Sequence, residues 1–365
     1  MIKEELEKRK LPELFRFNNG EKIKDKIDWE IRRNEIKNIL CKEEYGYFPS
    51  EHVPISVKII DEENKENDRF CRGTVFFRKI LLTLRLGKEQ FSFPVNVAIP
   101  RKNKTCPAFL YISFCDSFPN KYLPVEEICD QGFAIISFCY QDISPDNDDF
   151  SNGLSKFFYK NKEDFGKISL WSWAAMHVMD YVQTLDDIDK DNIAIVGHSR
   201  LGKTALLTGA FDERFKYTIS NNSGQSGAAI SRKKEGEQVK NICDRFSYWF
   251  CDKYSSYSEN INMMPFDQHY LLSLIAPRNL YVASASEDMW ADPKSEFLCC
   301  VAINQVYELY NKKGLIYEDK YPVVDTKLLD GDIGYHLREG CHYLSRHDWN
   351  VFIEYINKKM KKEIN

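Results

Sequence analysis

A chain of 365 residues, 43% hydrophobic and 14% aromatic, carries enough apolar surface for one large core or two smaller ones. Its 51 Lys and Arg against 55 Asp and Glu give a net charge of −4, which sets nucleic acid aside as the main partner. No run approaches the roughly 18 apolar residues of a transmembrane helix, so no membrane partner is expected.

The first ten residues, Met1 to Lys10, are charged and lack the apolar stretch of a secretory leader. The 11 cysteines are scattered and odd in number. They include the adjacent pair Cys299 and Cys300 but no C-x-x-C, and read as reduced thiols rather than a disulfide framework. Both features set the expectation of a cytoplasmic protein.

In chain order, residues 1–50 read as a polar arm with Trp29, Arg32, Arg33 and Ile36 at helical spacings, ending in the aromatic turn Tyr45 to Pro49. Residues 54–100 alternate in several places and predict a leading antiparallel hairpin region. Ala108–Phe114 and Phe133–Phe138 are unbroken apolar runs, as expected of central strands covered on both faces. A short helical segment, Val125 to Asp130, separates them. Residues 141–166, rich in Asp and Asn, predict a long polar loop.

A helix with a broad apolar stripe follows from Ile168 to Leu185. Strands at 193–196, 217–220 and 280–284 and a closing helix from about Arg346 to Lys359 complete the pattern. Alternating strands and helices predict one mostly parallel sheet with helices on both faces, a three-layer α/β sandwich. Residues 1–50 would form an arm packed on a single domain at 51–365. In such a sheet the site lies at the carboxyl ends of the strands.

Asn192-Ile-Ala-Ile-Val-Gly-His-Ser-Arg-Leu-Gly-Lys-Thr-Ala205 is an apolar strand, a turn with a serine and a helix-favouring segment. That is the form of a nucleophile elbow in an α/β-hydrolase, in which a strained turn lifts the Ser199 hydroxyl above the sheet. The usual pattern has a glycine two residues after the serine; here Gly202 comes three after.

A serine needs an imidazole to take its proton and an acid to orient that imidazole. In this fold they follow in the order serine, acid, histidine. His269, His336, His342 and His347 come late enough. His342 lies in the loop before the last helix and is the expected base, with His336 in reserve; His347 falls inside the first helical turn. The loop after strand 280–284 offers Glu287, Asp288 and Asp292, and Asp288 is the expected acid. The histidines lie far apart and show no H-E-x-x-H spacing, so neither metal nor cofactor is expected.

These segments resemble the glucuronoyl esterases, carbohydrate esterase family 15. The resemblance rests on Gly197-His-Ser-Arg-Leu-Gly-Lys203, Asn221-Asn-Ser-Gly224 with Gly227-Ala-Ala, and Leu274-Ile-Ala-Pro-Arg278. It continues through Ser286-Glu-Asp-Met-Trp-Ala-Asp-Pro293, Gly334-Tyr-His, Gly340-Cys-His342 and Asp348-Trp349, and includes Asp28-Trp-Glu-Ile-Arg-Arg33 and Tyr45-Gly-Tyr47.

The resemblance implies a serine esterase that cleaves esters of (4-O-methyl-)glucuronic acid on xylan or xylo-oligosaccharides through an acyl-enzyme on Ser199. It implies Arg200 as the oxyanion donor and Lys203, Glu237 and Trp290 as sugar-binding residues. Fungal members carry their acid where this chain has Asn222, which leaves the acid to the later loop. Bacterial relatives often read Ser-Gly-Cys-Gly-Gly where this chain has Ser223-Gly-Gln-Ser-Gly227. Two other readings remain on the same scaffold: an acetyl-xylan or acetyl-oligosaccharide esterase, and an inactive carbohydrate-binding homologue.

Overall fold

Successive residues of the apolar runs part to opposite faces of one sheet. In β6 (Ile188–His198), Ile193 and Ile195 enter one core cluster while Ala194 and Val196 enter the other. A strand apolar at every position is therefore a strand buried on both faces. The computed structural model describes residues 1–49, 52–62, 71–102, 104–160 and 165–364. Residue 50 of the arm, residues 63–70 of the leading hairpin region and residues 161–164 of the expected polar loop lie outside them.

The other strands are β1 (Ile55–Glu62), β2 (Val75–Leu86), β3 (Glu89–Pro100), β4 (Cys106–Ser113) and β5 (Ala134–Cys139), then β7 (Tyr217–Asn221), β8 (Asn279–Ala285), β9 (Thr326–Leu328) and β10 (Ile333–Arg338). They form one sheet in the order β1-β2-β3-β5-β4-β6-β7-β8-β10-β9. The block from β5 to β10 is parallel. The leading hairpins β1-β2-β3 join it antiparallel through β5, and β9 closes the other edge antiparallel. The expected α/β-hydrolase architecture is the one observed.

Helices Lys167–Val182 and Arg200–Phe211 cover one face with Trp171, Val178, Leu201 and Leu206. Helices Val125–Asp130 and Arg346–Ile364 cover the other with Ile128, Trp349, Phe352 and Ile356. The arm shares the first of these clusters. Asp25 caps helix Lys26–Leu40 by accepting the N–H groups of Ile27 and Asp28, and Trp29 and Ile36 are fully buried. Arg32 and Arg33 are buried beside them because their guanidinium groups find fixed acceptors, Tyr270 Oη at 2.8 Å and the Leu274 carbonyl at 3.0 Å.

Two elements differ from expectation. The polar stretch 141–166 contains short helices Tyr140–Ile143 and Ser155–Phe158, because Ile143 and Leu154 turn inward and are fully buried among the polar residues. The expected aromatic turn begins inside a helical continuation, Cys41–Tyr45, that buries Tyr45.

Gly197 allows β6 and the helix after it to meet. A Cβ there would lie 1.9 Å from the Leu201 carbonyl oxygen, a backbone atom that has no room to give. Gly197→Ala is expected to cost more than about 3 kcal/mol of stability, read as a fall in the urea midpoint or as loss of folded protein. A wild-type midpoint would contradict this close approach.

Candidate active site

Four backbone hydrogen bonds set the loops at the carboxyl end of the sheet side by side. The N–H of Ser199 donates to Asn221 O at 2.9 Å, that of Asn222 to Ala283 O at 2.8 Å, that of Ser286 to Arg338 O at 2.9 Å, and that of Glu287 to Gly340 O at 3.0 Å. The loops after β6, β7, β8 and β10 thereby follow one another in strand order, and each carries one of the residues singled out by the sequence.

Ser199 sits at φ 57° and ψ −127°, a left-handed conformation unusual for a residue with a side chain. Its carbonyl accepts the N–H groups of Gly202 and Lys203 at 2.9 and 3.2 Å, closing the first helical turn. The displaced glycine has a packing reason. A Cβ on Gly202 would lie 3.0 Å from Ser220 Oγ and Ser223 Cβ, so it lets the helix sit against the end of β7.

His342 and Asp288 are joined. His342 Nδ1 donates to Asp288 Oδ2 at 2.6 Å, which leaves Nε2 free to act as a base. Asp288 is buried and also accepts Asn222 Nδ2 at 2.8 Å and the Ala291 N–H at 3.3 Å. Burial alone would raise its pKa; the hydrogen bond and charge of His342, with these other donors, more than offset that and hold it below the usual carboxylate value.

The His342 ring packs on His198, the residue before Ser199, at 4.6 Å between centroids. Among the described residues Ser199 Oγ makes no hydrogen bond to His342; such bonds commonly tighten only with substrate in place. The other late histidines are engaged elsewhere. His336 bonds Asp348 at 2.8 Å through Nε2 and Tyr281 Oη at 2.8 Å through Nδ1, His269 bonds the Pro12 carbonyl, and His347 packs on His336. Burial, with His342 nearby, lowers the His198 pKa to about 3 and keeps that ring neutral.

Arg200 follows Ser199 at the start of the helix. Its guanidinium is clamped to Asp146, lies 4.7 Å from the Trp249 ring, and keeps a buried Nε without a hydrogen-bond partner. Asp146 also accepts Trp249 Nε1 at 2.7 Å and Tyr140 Oη at 3.0 Å.

Lys203, Glu237 and Trp290 come together beside this turn. Lys203 is buried, donates to the Ser223 carbonyl at 2.5 Å and has its pKa lowered by burial, with Glu237 the largest opposing charge. The Glu237 N–H donates to the Trp290 carbonyl at 3.0 Å. The Trp290 side chain is half exposed rather than packed into the core.

Sequence reasoning missed Asp146, one of several acids in a stretch read as loop. It also read Asn222 only as an empty acid position, whereas its amide holds the acid of the neighbouring loop. The departure at Ser223–Gly227 is absorbed by a buried network, with Gln225 Nε2 bonding Ser231 Oγ at 2.7 Å and Ser226 Oγ bonding Tyr254 Oη at 2.6 Å.

A family model described as glucuronyl esterase, fungi, matches residues 82–311. The chain is 41% identical over 242 residues to carbohydrate esterase MZ0003 from an unknown prokaryotic organism, covering 65% of this chain and 56% of that relative. It is 30% identical over 297 residues to the 4-O-methyl-glucuronoyl methylesterase of Podospora anserina, covering 78% of this chain and 57% of that one. The chain thus spans little more than half the length of these two relatives. A glucuronoyl esterase structure from Solibacter usitatus superposes with a TM-score of 0.86 at 30% identity, covering 95% of this chain and 97% of that chain.

Lys234 orders the Trp290 loop by donating to the Trp290 carbonyl at 2.9 Å, and burial lowers its pKa to about 8. The unfolded chain, with lysine near its ordinary value of about 10.4, then binds more protons between about pH 8 and 10, so stability rises with pH across that window. Urea unfolding should show wild type gaining on the order of 2 kcal/mol from pH 7.5 to pH 10 relative to Lys234→Met. Parallel profiles for the two proteins would show Lys234 to be charged without penalty.

Proposed function

The chain belongs to the glucuronoyl esterase family, and from that premise we propose that it is a serine carboxylic ester hydrolase acting on esters of (4-O-methyl-)glucuronic acid carried by xylan or xylo-oligosaccharides. The observation that carries the reading is the Asp288–His342 pair, held on the loops after β8 and β10 beside the strained turn at Ser199.

In this reading Ser199 Oγ attacks the C6 carbonyl carbon and His342 Nε2 takes its proton. Asp288 stabilises the imidazolium through the Nδ1–H bond. The negative charge that develops on the carbonyl oxygen meets the Arg200 N–H at the helix start and the Arg200 side chain, a charge-assisted donor that Asp146 and Trp249 keep in place. Collapse of the tetrahedral species breaks the C–O bond to the alcohol, which leaves with the proton from His342. Water, deprotonated by His342, then attacks the glucuronoyl ester on Ser199 and releases the uronic acid.

Lys203 and Glu237 supply a donor and an acceptor for sugar hydroxyls, and the exposed Trp290 ring offers a face for the sugar to stack on. Of the cytoplasmic placement expected from the sequence, the fully buried thiols of Cys299 and Cys300 are the supporting feature. No helix among the described residues is long and apolar enough to cross a membrane.

The test is hydrolysis of benzyl glucuronate beside an acetylated xylo-oligosaccharide, with wild type and Ser199→Ala. Cleavage of the glucuronate ester, reduced by at least about 10³-fold in the variant, is expected. Deacetylation without glucuronate cleavage would overturn the substrate assignment, and no turnover of either would favour an inactive carbohydrate-binding homologue. Asp146→Asn, which loosens Arg200 without touching Ser199 or His342, should lower kcat by up to about 100-fold with little change in KM. An unchanged kcat would remove the Arg200 guanidinium from the reaction.

A further inference from the structure

A second cluster of chemically active side chains lies among residues that take no part in the esterase site. His177 and Asp180 stand three residues apart on helix Lys167–Val182, a spacing that puts both on one face. His52, from the segment before β1, stacks on His177 with ring centroids 5.1 Å apart and planes 17° from parallel. His52 Nε2 lies 3.6 Å from Asp180 Oδ2, and one donor atom from each of the three residues falls within 4.8 Å of the others.

The atoms behind these donors are already committed. His177 Nδ1 donates to the Trp173 carbonyl at 2.9 Å, which fixes the tautomer and puts the ring's lone pair on Nε2. That lone pair accepts the Val53 N–H in a long hydrogen bond of 3.4 Å, which a metal ion would displace. Arg214 takes Asp180 Oδ1 at 2.6 Å, while the buried Oδ2 has no hydrogen-bond partner. A buried acceptor without a partner calls for a reason. A second ring nitrogen bonded to a backbone carbonyl, and a carboxylate anchored through its other oxygen, are what orient the ligands of a metal ion.

We propose that His52, His177 and Asp180 form a binding site for a divalent transition-metal ion of the zinc type. Two neutral imidazoles and a carboxylate suit Zn2+, which takes three protein ligands and completes its tetrahedron with water. Bonds of about 2.0–2.2 Å require the donors to draw closer than they stand. His177 and Asp180 are fixed on their helix, and the exposed His52 supplies the movement. The bound ion would pin the segment leading into β1 to that helix. The sequence hides the site because His52 and His177 are far apart in the chain and only the fold stacks them.

The full chain should bind one equivalent of Co2+ or Zn2+ in equilibrium dialysis. The Co2+ form should give the visible absorption of nitrogen and oxygen ligands without a thiolate charge-transfer band. His52→Ala, an exposed position away from the esterase residues, should weaken binding at least about 10-fold and abolish the metal-induced rise in Tm while leaving ester hydrolysis unchanged. Asp180→Asn should act in the same direction. Absence of binding, or binding that persists in His52→Ala, would overturn the proposal. A thiolate band would place the ion instead at a cysteine, such as the exposed Cys341 beside His342.

Discussion

The parallel register of β6, β7, β8 and β10 is the constraint on which the rest of the site depends. Each strand ends one step from its neighbour, and each following loop is tied to the next by a backbone hydrogen bond: Ser199 to Asn221, Asn222 to Ala283, Ser286 to Arg338 and Glu287 to Gly340. The positions of the serine, the amide, the acid and the histidine therefore follow from strand order rather than from the side chains themselves. A sheet buried on both faces is stiff enough to hold them there, because a one-residue slip would exchange the two apolar faces.

Within that frame the polar groups are preorganised by neighbours that cannot relax away. Asp288 accepts from His342, Asn222 and Ala291, so its charge is met from three sides. Glu296, fully buried with its pKa raised to about 7 by burial, accepts the Gly224 N–H at 2.9 Å and Ser284 Oγ at 2.6 Å, fixing the loop that carries Asn222. Asp146 does the same for Arg200. Groups of this kind are costly to bury and gain most from fixed partners, which is why they gather where charge must be stabilised without reorganisation.

Much of this was legible in the sequence because it follows from short-range pattern. The unbroken apolar runs at β4, β5 and β6 announced central strands, and the Gly197–Lys203 segment announced a strand, a turn and a helix. The roles of Asn222, Asp146 and His52 were not legible, for a common physical reason. Each acts through a side chain brought to it by the fold: Asp288 from another loop, Arg200 from the helix start, His177 from a distant helix. No local periodicity encodes such a meeting. The strand β10 was equally hidden, since Ile333 to Arg338 mixes glycine, histidine and arginine in a run whose burial comes from its place beside β8.

The pairing of Ser199 with the Asp288–His342 couple can be examined without any choice of sugar substrate, by following covalent modification with a fluorophosphonate and mapping the adduct by peptide mass spectrometry. A single adduct on Ser199, formed at least about 100-fold more slowly in Asp288→Asn because the imidazole loses its orienting partner, is expected. An adduct on another residue, or wild-type labelling of Ser199 in Asp288→Asn, would contradict the central role given to this pair.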